Sequence, residues 1–223
     1  MFASIARRYD LLNHLLSLNI DKRWRRTVVR AVPPRDGDAI LDVCTGTGDL
    51  ALAYAKSGAA DLRIVGVDFC GEMLQIAREK CRRLGSTAEF FEQDAQDIRF
   101  PDGQFDVVCC AFGLRNVSDA AKALSEMVRA AKVGGRVAIL EFSRPKLPVL
   151  RRLYMAYFRV LLPRIGQAVG KNDHQAYEYL PKSVMEFPDG QELAALLRNA
   201  GLADVVVRPL TFGIATLYFG VKA

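Results

Sequence analysis

Short apolar runs alternate with amphipathic stretches along most of this 223-residue chain. Five runs rich in Val, Ile, Ala or Phe predict buried strands at residues 39–44, 63–68, 88–93, 105–111 and 135–141. Apolar residues at helical spacing predict helices between them, at about 49–57, 71–84 and 118–131. Because strands that alternate with helices form parallel sheets, the pattern predicts an α/β domain with a doubly wound sheet.

The two ends of the chain depart from this alternation. Residues 4–31 have the spacing of two helices, with Asp21 as the cap of the second, and Pro33-Pro34 closes this arm. A helix at 190–200 ends at Gly201, and strands at 204–210 and 214–221 flank a short turn, which predicts an antiparallel hairpin. We therefore expect an N-terminal helical arm at 1–35 and one domain at 36–223, with a helical or lid insertion at about 144–189.

Composition narrows the class of protein. With 51% hydrophobic and 25% charged residues, the chain has the make-up of one ordinary globular domain and is unlike a disordered protein. No run of 18 uncharged apolar residues is present, and residues 1–10 lack the apolar core of a signal peptide. Five cysteines without a CxxC pair and two histidines argue against a disulfide framework and a metal site. These features predict a cytoplasmic protein with no bound metal.

Charge is distributed unevenly along the chain, whose net charge is +6. Residues 1–35 hold eight basic and two acidic residues, and residues 144–171 hold seven basic residues and no acid, so the remaining body is acidic. This asymmetry predicts an anionic partner, either a membrane surface or a nucleic acid, although basic runs are also common on solvated helix faces. The basic segments carry aliphatic stripes and no RNA-binding module, so we expect no nucleic acid.

A nucleotide-binding pattern lies in the stretch from Ile40 to Ala51. Two glycines there, Gly46 and Gly48, let the backbone turn tightly between a strand and a helix start and approach a ligand closely. Asp68, 20 residues after Gly48, stands where a carboxylate accepts hydrogen bonds from ribose hydroxyls, in both nicotinamide and S-adenosylmethionine sites. The predicted cofactor-binding set is Asp42, Gly46, Thr47, Gly48, Asp68, Asp94, Ala95 and Ala111.

Asp42 distinguishes between the two cofactor classes. It precedes the glycine loop, where it would repel a pyrophosphate but would balance the ammonium group of an amino acid. Glu92-Gln93-Asp94-Ala95 follows the third predicted strand and offers a polar edge to an adenine amino group. S-adenosylmethionine is therefore favoured, and a nicotinamide cofactor is the alternative.

The order of these motifs resembles class I S-adenosylmethionine-dependent methyltransferases. The order is L-D-x-x-x-G-x-G, then V-D, then D-A, then F-D-x-V, and it ends with the predicted hairpin. The resemblance implies a Rossmann-like fold with a seven-stranded, mostly parallel sheet, a C-terminal antiparallel hairpin and added N-terminal helices. It also implies S-adenosyl-L-methionine as the cofactor.

Longer motifs make the resemblance more specific. They are Tyr9–Asn13, Trp24-Arg25, Phe112–Val117, Glu141–Pro145, Tyr177–Ser183, Phe187-Pro188 and Gly213-Ile214. In this order and spacing the chain resembles, over nearly its whole length, the ubiquinone/menaquinone biosynthesis C-methyltransferase family. One departure is Asn19, where that family has Gly; Asn tolerates a positive φ better than other non-glycine residues, so we expect the turn to be kept.

The resemblance implies methylation of a ring carbon of a polyprenylated quinol, with demethylmenaquinol preferred as substrate. The alternatives are 2-polyprenyl-6-methoxy-1,4-benzoquinol, another small molecule or an RNA, and a non-catalytic subunit that keeps the fold. Arg115 and Asn116 are the catalytic candidates: Arg115 would orient the quinol oxygen or a water, and Asn116 would shape the pocket. A salt bridge is the alternative role of Arg115, and His174, Tyr177 and Asp10 are candidate bases.

A quinol with an isoprenoid tail stays in lipid, so the resemblance also implies that the enzyme meets its substrate at a membrane. We expect peripheral attachment to an anionic membrane surface through the basic segments, with the apolar stripe at 148–163 docking there or covering the tail. Homo-oligomers are compatible with the sequence.

Overall fold

A computed structural model of the chain describes residues 19–145, 152 and 181–223. The predictions for Tyr9–Asn13, the stripe at 148–163, His174 and Tyr177 lie outside the described residues. The division into an arm, a domain and an insertion at 144–189 also depends on those segments and stays a prediction.

The described strands are β1 (Ala39–Val43), β2 (Arg63–Asp68), β3 (Glu89–Glu92), β4 (Phe105–Ala111), β5 (Ala131–Phe142), β6 (Leu202–Leu210) and β7 (Ala215–Lys222). The described helices are α1 (Ile20–Ala31), α2 (Asp49–Ala55), α3 (Gly71–Arg83), α4 (Ala120–Ala130) and α5 (Gln191–Asn199). Short 3-10 turns lie at Leu114–Asn116 and Thr211–Gly213, and residues 181–186 are also helical. Each predicted strand and helix within the described ranges is present, with ends that differ by a few residues.

All seven strands form a single sheet in the order β3-β2-β1-β4-β5-β7-β6. The pairs from β3 to β5 are parallel, while β7 runs antiparallel to both β5 and β6. The predicted Rossmann-like sheet with a C-terminal antiparallel hairpin is therefore confirmed. The order reverses at β1, between β2 and β4, and open α/β sheets bind ligands beyond the carboxyl ends of the strands at such a point.

One strand is longer than its sequence pattern indicates. β5 begins at Ala131, directly after α4, whereas the sequence pattern predicts its start at residue 135. Ala131 pairs with Phe105, and after an irregularity in the register the β4–β5 pairing resumes at Arg136. A pairing of this kind is non-local, and the local apolar pattern does not reveal it.

Helix α1 packs against the sheet of the domain that follows it. Trp24 and Val28 are buried in one core cluster with Ile40 of β1 and Leu217 of β7. Asn19 caps the helix in a left-handed conformation, with φ of 60°, so the turn expected at this position is kept. Its side chain makes no capping hydrogen bond.

The predicted capping role of Asp21 is wrong. Asp21 lies in the first turn of α1, one residue inside the helix, and is 4% exposed. Its carboxylate accepts a hydrogen bond from Arg25 Nη1 at 2.6 Å, one helical turn further on. It therefore forms an intrahelical ion pair near the positive end of the helix dipole.

Apolar side chains fill both faces of the sheet in two main core clusters. One lies between the sheet and α4 and α5, and the other lies between the sheet and α1, α2 and α3. Among the described helices, none is long and apolar enough to cross a bilayer.

Candidate functional site

The loop between β1 and α2 has a left-handed backbone at three positions. Cys44, Gly46 and Gly48 have φ angles of 53°, 56° and 81°. A Cβ on Gly48 would approach Ala77 Cβ at 3.1 Å, whereas a Cβ on Gly46 would meet nothing within 4 Å. Gly48 is thus needed for packing between loop and helix, and Gly46 leaves its face open for a ligand to approach the backbone.

Asp42 lies beneath this loop, at the end of β1. Its Oδ2 accepts a hydrogen bond from the Thr45 hydroxyl at 2.6 Å and from the Ala51 amide at 3.0 Å. The Cys109 thiol lies 3.8 Å from Oδ1. Burial raises the pKa of Asp42 to about 7, and the hydrogen bonds from Thr45 and Ala51 only partly oppose it. Asp42 therefore holds the glycine loop onto the first turn of α2.

Asp68 ends β2 and reaches the loop from the other side. Its Oδ2 accepts a hydrogen bond from the Gly46 amide at 2.8 Å, and its Oδ1 accepts one from the Cys70 amide at 2.9 Å. Burial raises the pKa of Asp68, against these two backbone hydrogen bonds. Each carboxylate oxygen keeps acceptor capacity for a ligand, because an ionised carboxylate offers about four acceptor sites.

A cavity of about 290 Å³ opens where the strands end. Seven of the predicted site residues line it: Gly46, Thr47, Asp68, Asp94, Ala95, Ala111 and Asn116. Three others, Asp42, Gly48 and Arg115, are absent from its lining. The cavity thus joins the predicted cofactor residues to Asn116, with Asp42 and Gly48 supporting the loop from behind. A direct contact between Asp42 and a ligand stays a prediction.

Asp94 and Ala95 form the wall beyond β3. The Asp94 carboxylate accepts a hydrogen bond from the Gln96 amide at 2.9 Å, which shapes a tight turn. Ala95 is buried, and Gln96 joins both residues in the cavity lining. This turn supplies polar atoms beside an apolar surface, the combination that an adenine ring requires.

The segment from Phe112 to Asn116 lies on the opposite wall. Phe112 has a φ of 61°, and a Cβ on Gly113 would lie 2.3 Å from Cys44 Cβ, so only glycine fits between the two loops. Asn116 Nδ2 donates a hydrogen bond to the Phe112 carbonyl at 3.3 Å. Asn116 Oδ1 is buried and has no hydrogen-bond partner among the described residues. Asn116 thus lines the cavity, and its Oδ1 is an uncommitted acceptor enclosed in the cavity wall.

Arg115 forms the salt bridge that the sequence left as its alternative role. Its Nη1 lies 2.8 Å from Glu141 Oε1, and the two side chains are 7% and 1% exposed. The same Nη1 donates a hydrogen bond to the Phe112 carbonyl at 2.5 Å. Arg115 thus fixes the left-handed turn at Phe112 and thereby the position of Asn116. Its proposed contact with a quinol oxygen or a water stays a prediction.

Three aromatic residues join α1 to this wall. Phe112 lies 4.5 Å from Phe142 and 5.8 Å from Trp24, measured between ring centroids. Trp24 Nε1 donates a hydrogen bond to Thr211 Oγ1 in the β6–β7 turn at 2.8 Å. The Arg25 guanidinium lies 5.5 Å from the Phe112 ring centroid, in cation–π geometry. Motifs that are far apart in the sequence therefore meet at one place beside the cavity.

Sequence reasoning missed two charged residues of the cavity, Arg25 and Asp49. Lys80 Nζ lies 2.7 Å from Asp49 Oδ1, and Arg25 Nη2 lies 4.0 Å from Asp49 Oδ2. Glu141 was noted within a motif but had no predicted role. The signal for Arg25 was its place in the Trp24-Arg25 motif, whereas the position of Asp49 in the first turn of α2 is common to many helices.

Comparison of the sequence with known families finds a match over residues 1–222 to the ubiE/COQ5 methyltransferase family. A similar protein, named ubiquinone/menaquinone biosynthesis C-methyltransferase UbiE, occurs in Geobacter sp. (strain M21); it is 46% identical, and the match covers 100% of this chain and 94% of that one. A protein named demethylmenaquinone methyltransferase from Thermus thermophilus is 45% identical, with 99% of each chain covered. These matches include the segments outside the described residues.

Solved structures show the same fold at much lower identity. A SAM-dependent methyltransferase from Thermotoga maritima matches with a TM-score of 0.71 and 20% identity, covering 100% of this chain and 98% of that one. Phosphoethanolamine N-methyltransferase 2 from Haemonchus contortus, solved with S-adenosyl-L-methionine, matches with a TM-score of 0.64 and 17% identity, covering 89% of this chain and 52% of that one.

Proposed function

The chain belongs to the ubiE/COQ5 methyltransferase family, and we propose that it transfers the methyl group of S-adenosylmethionine to a ring carbon of demethylmenaquinol. One observation carries this proposal. The cavity at the sheet edge places Gly46 and Asp68 on one wall and Asn116, with a free acceptor, on another. A methyl donor and a phenolic acceptor would therefore share a single enclosure.

The cavity fits S-adenosylmethionine by its donor and acceptor set. Gly46 has open space where a side chain would be, so an amino-acid moiety can approach the backbone there. Asp68 has acceptor capacity for ribose hydroxyls, and the turn at Asp94 and Ala95 suits an adenine ring. When bound, the cofactor supplies a methyl group already activated on a sulfonium. The protein needs to position the two reactants more than it needs acid–base power.

The acceptor carbon gains nucleophilic character when the neighbouring phenol shares its proton. We infer that Asn116 Oδ1, which lies in the cavity wall without a partner among the described residues, accepts a hydrogen bond from that phenol when the quinol is bound. Arg115 and Glu141 hold this arrangement from behind the wall. Arg115 serves as a positioning residue in this scheme. Asp10, His174 and Tyr177 remain the sequence-based candidates for the final proton acceptor.

The benzoquinol of ubiquinone biosynthesis is the second candidate, because the relatives include proteins named for both quinones. The experiment is methyl transfer in vitro to each quinol, with the product identified by mass spectrometry. We expect demethylmenaquinol to gain one methyl group faster than the benzoquinol. Faster methylation of the benzoquinol would make it the preferred substrate in place of demethylmenaquinol. No methylation of either quinol would refute the proposed function.

We also propose that the protein attaches peripherally to an anionic membrane surface. The basic segments at 1–35 and 144–171 support this, since each basic group near such a surface contributes about 1 kcal/mol. Flotation with vesicles that contain phosphatidylglycerol tests it at low salt. Failure of the protein to float with these vesicles would contradict the proposal.

A further inference from the structure

A second cavity lies behind the cofactor cavity, between α1, α2 and the end of α3. Its volume is about 430 Å³. We propose that this groove, called the α1–α2 groove, binds the phosphate of an anionic phospholipid headgroup and sets the enzyme on the membrane. The proposal rests on the membrane-borne quinol substrate for its purpose, and it names a site that the charge pattern alone could not locate.

Basic side chains dominate the lining of the groove. Six of them face one acidic side chain: Lys22, Arg25, Arg26, Arg30, Lys56 and Lys80 against Asp49. Lys22, Arg26, Arg30 and Lys56 are exposed and form no ion pair with any described residue. An anion that entered the groove would therefore meet cations whose charge is not already balanced within the described part of the chain.

Three of these cations form one stripe along α1. Lys22, Arg26 and Arg30 are spaced four residues apart, so they occupy the same face of the helix. Like charges at this spacing repel each other and destabilise a helix slightly. A bound phosphate would remove that repulsion, and it could accept hydrogen bonds from two arginine forks at once.

The remaining lining favours a lipid over the other sources of phosphate. Val29, Leu52 and Leu84 add apolar surface beside the cations, which suits the glycerol and acyl part of a phospholipid. Among the described lining residues there is no aromatic side chain on which a nucleic-acid base could stack. The groove is thus amphipathic and basic, as a headgroup site should be.

The groove adjoins the catalytic cavity. Arg25 and Asp49 line both spaces, and Arg25 also lies over the Phe112 ring. A headgroup bound in the groove would place the membrane surface one side chain away from the cofactor cavity. A quinol whose tail stays in the bilayer could then present its ring to the site.

The test compares two triple variants with equal loss of charge. Lys22→Gln/Arg26→Gln/Arg30→Gln removes the stripe, and Lys122→Gln/Arg198→Gln/Arg208→Gln removes exposed basic residues outside the groove and outside both basic segments. Binding to vesicles of equal parts phosphatidylglycerol and phosphatidylcholine is measured by co-sedimentation at low salt. We expect the stripe variant to bind about 100-fold more weakly than the parent, since each basic residue near the surface contributes about fivefold. The control variant should lose far less.

Several results would overturn the proposal. Equal loss by the two variants would show that only net charge matters. If the stripe variant lost binding to a soluble RNA hairpin but still bound vesicles as the parent does, the groove would be a nucleic-acid site. Binding of inorganic phosphate in calorimetry without vesicle binding would assign it to a free anion. Thermal unfolding checks that both variants are folded. Methyl transfer by the parent to a tail-less quinol is measured separately, so failure of the proposed reaction is distinguishable from failure of the groove.

Discussion

Replacement of Asp42 by Asn tests whether this buried group is a neutral acid at moderate pH. The amide oxygen can accept the hydrogen bonds from Thr45 and Ala51, and the amide nitrogen can take the place of Oδ1 beside Cys109. The variant therefore keeps the network and loses the titration. Since the pKa of Asp42 is raised to about 7 by burial, its stabilising contribution is complete below the unfolded value of 3.8 and is lost as pH rises through 7.

The expected size of the effect follows from linkage. Between pH 5 and the folded pKa of about 7, the parent should lose about 1.36 kcal/mol per pH unit relative to Asp42→Asn, so the loss by pH 8 is about 2 to 3 kcal/mol. Urea unfolding of both proteins at the two pH values measures this, and the comparison cancels every group that titrates equally in both. The reasoning is refuted if the difference in unfolding free energy between parent and variant is the same at both pH values, or if the variant becomes the less stable protein at pH 8. Either result would show that the buried carboxylate is ionised and that its charge stabilises the fold.

A matched control is Asp106→Asn. Burial alone would raise the pKa of Asp106, but the hydrogen bond and charge of Lys132, among other contacts, outweigh it and hold the pKa below its usual range. Its stabilising contribution is present above the unfolded value and is lost only as pH falls below it. The stability difference between this variant and the parent should therefore stay nearly constant from pH 5 to pH 8. A large change would indicate that the two carboxyl groups do not differ as described.

Three further substitutions test the site. Gly46→Ala places a methyl group in the open face of the loop at a φ of 56°, so calorimetry should show cofactor affinity reduced at least tenfold; unchanged affinity would mean that the ligand does not approach there. Glu141→Gln breaks the buried pair with Arg115 and should lower the free energy of unfolding by about 3 to 5 kcal/mol in urea, whereas a loss below about 1 kcal/mol would contradict a buried charge pair. Asn116→Ala should lower kcat for the quinol by about tenfold with little change in Tm, on the scale of one lost hydrogen bond, and an unchanged kcat would remove Asn116 from the mechanism.

Much of the fold could be predicted because its cues are local. The strands from Ala39 to Ala111 are short apolar runs, and the closing hairpin follows from two such runs around Thr211–Gly213. The start of β5 could not be predicted, since it depends on the pairing of Ala131 with Phe105 across the sheet. The cap of α1 was missed for a different reason. Asp is favourable both as an N-cap and in the first turn of a helix, so the sequence alone does not tell which position Asp21 occupies. The left-handed backbone at Asn19 shows that Asn19 is the cap and that Asp21 lies in the first turn.

The candidate site also has parts that the sequence predicts and parts that depend on contacts between distant residues. The glycine loop and Asp68 have a fixed spacing along the chain, and the structure brings them together at one cavity. The orientation of Asp42 could not be inferred, because it is set by the Ala51 amide in the next helix. The partner of Arg115 is 26 residues away, on the neighbouring strand, so the sequence could name a salt bridge as an alternative without naming Glu141.

The most direct test of the central claim is the position of the transferred methyl group. The full chain is incubated with demethylmenaquinol and S-adenosylmethionine that carries a deuterated methyl group, and the product is mapped by NMR and mass spectrometry. We predict one deuterated methyl on a ring carbon of the naphthoquinol, and no transfer with Asp68→Ala, which removes the acceptor at the cavity wall. A deuterated methyl on a quinol oxygen, or undiminished transfer by Asp68→Ala, would contradict the account.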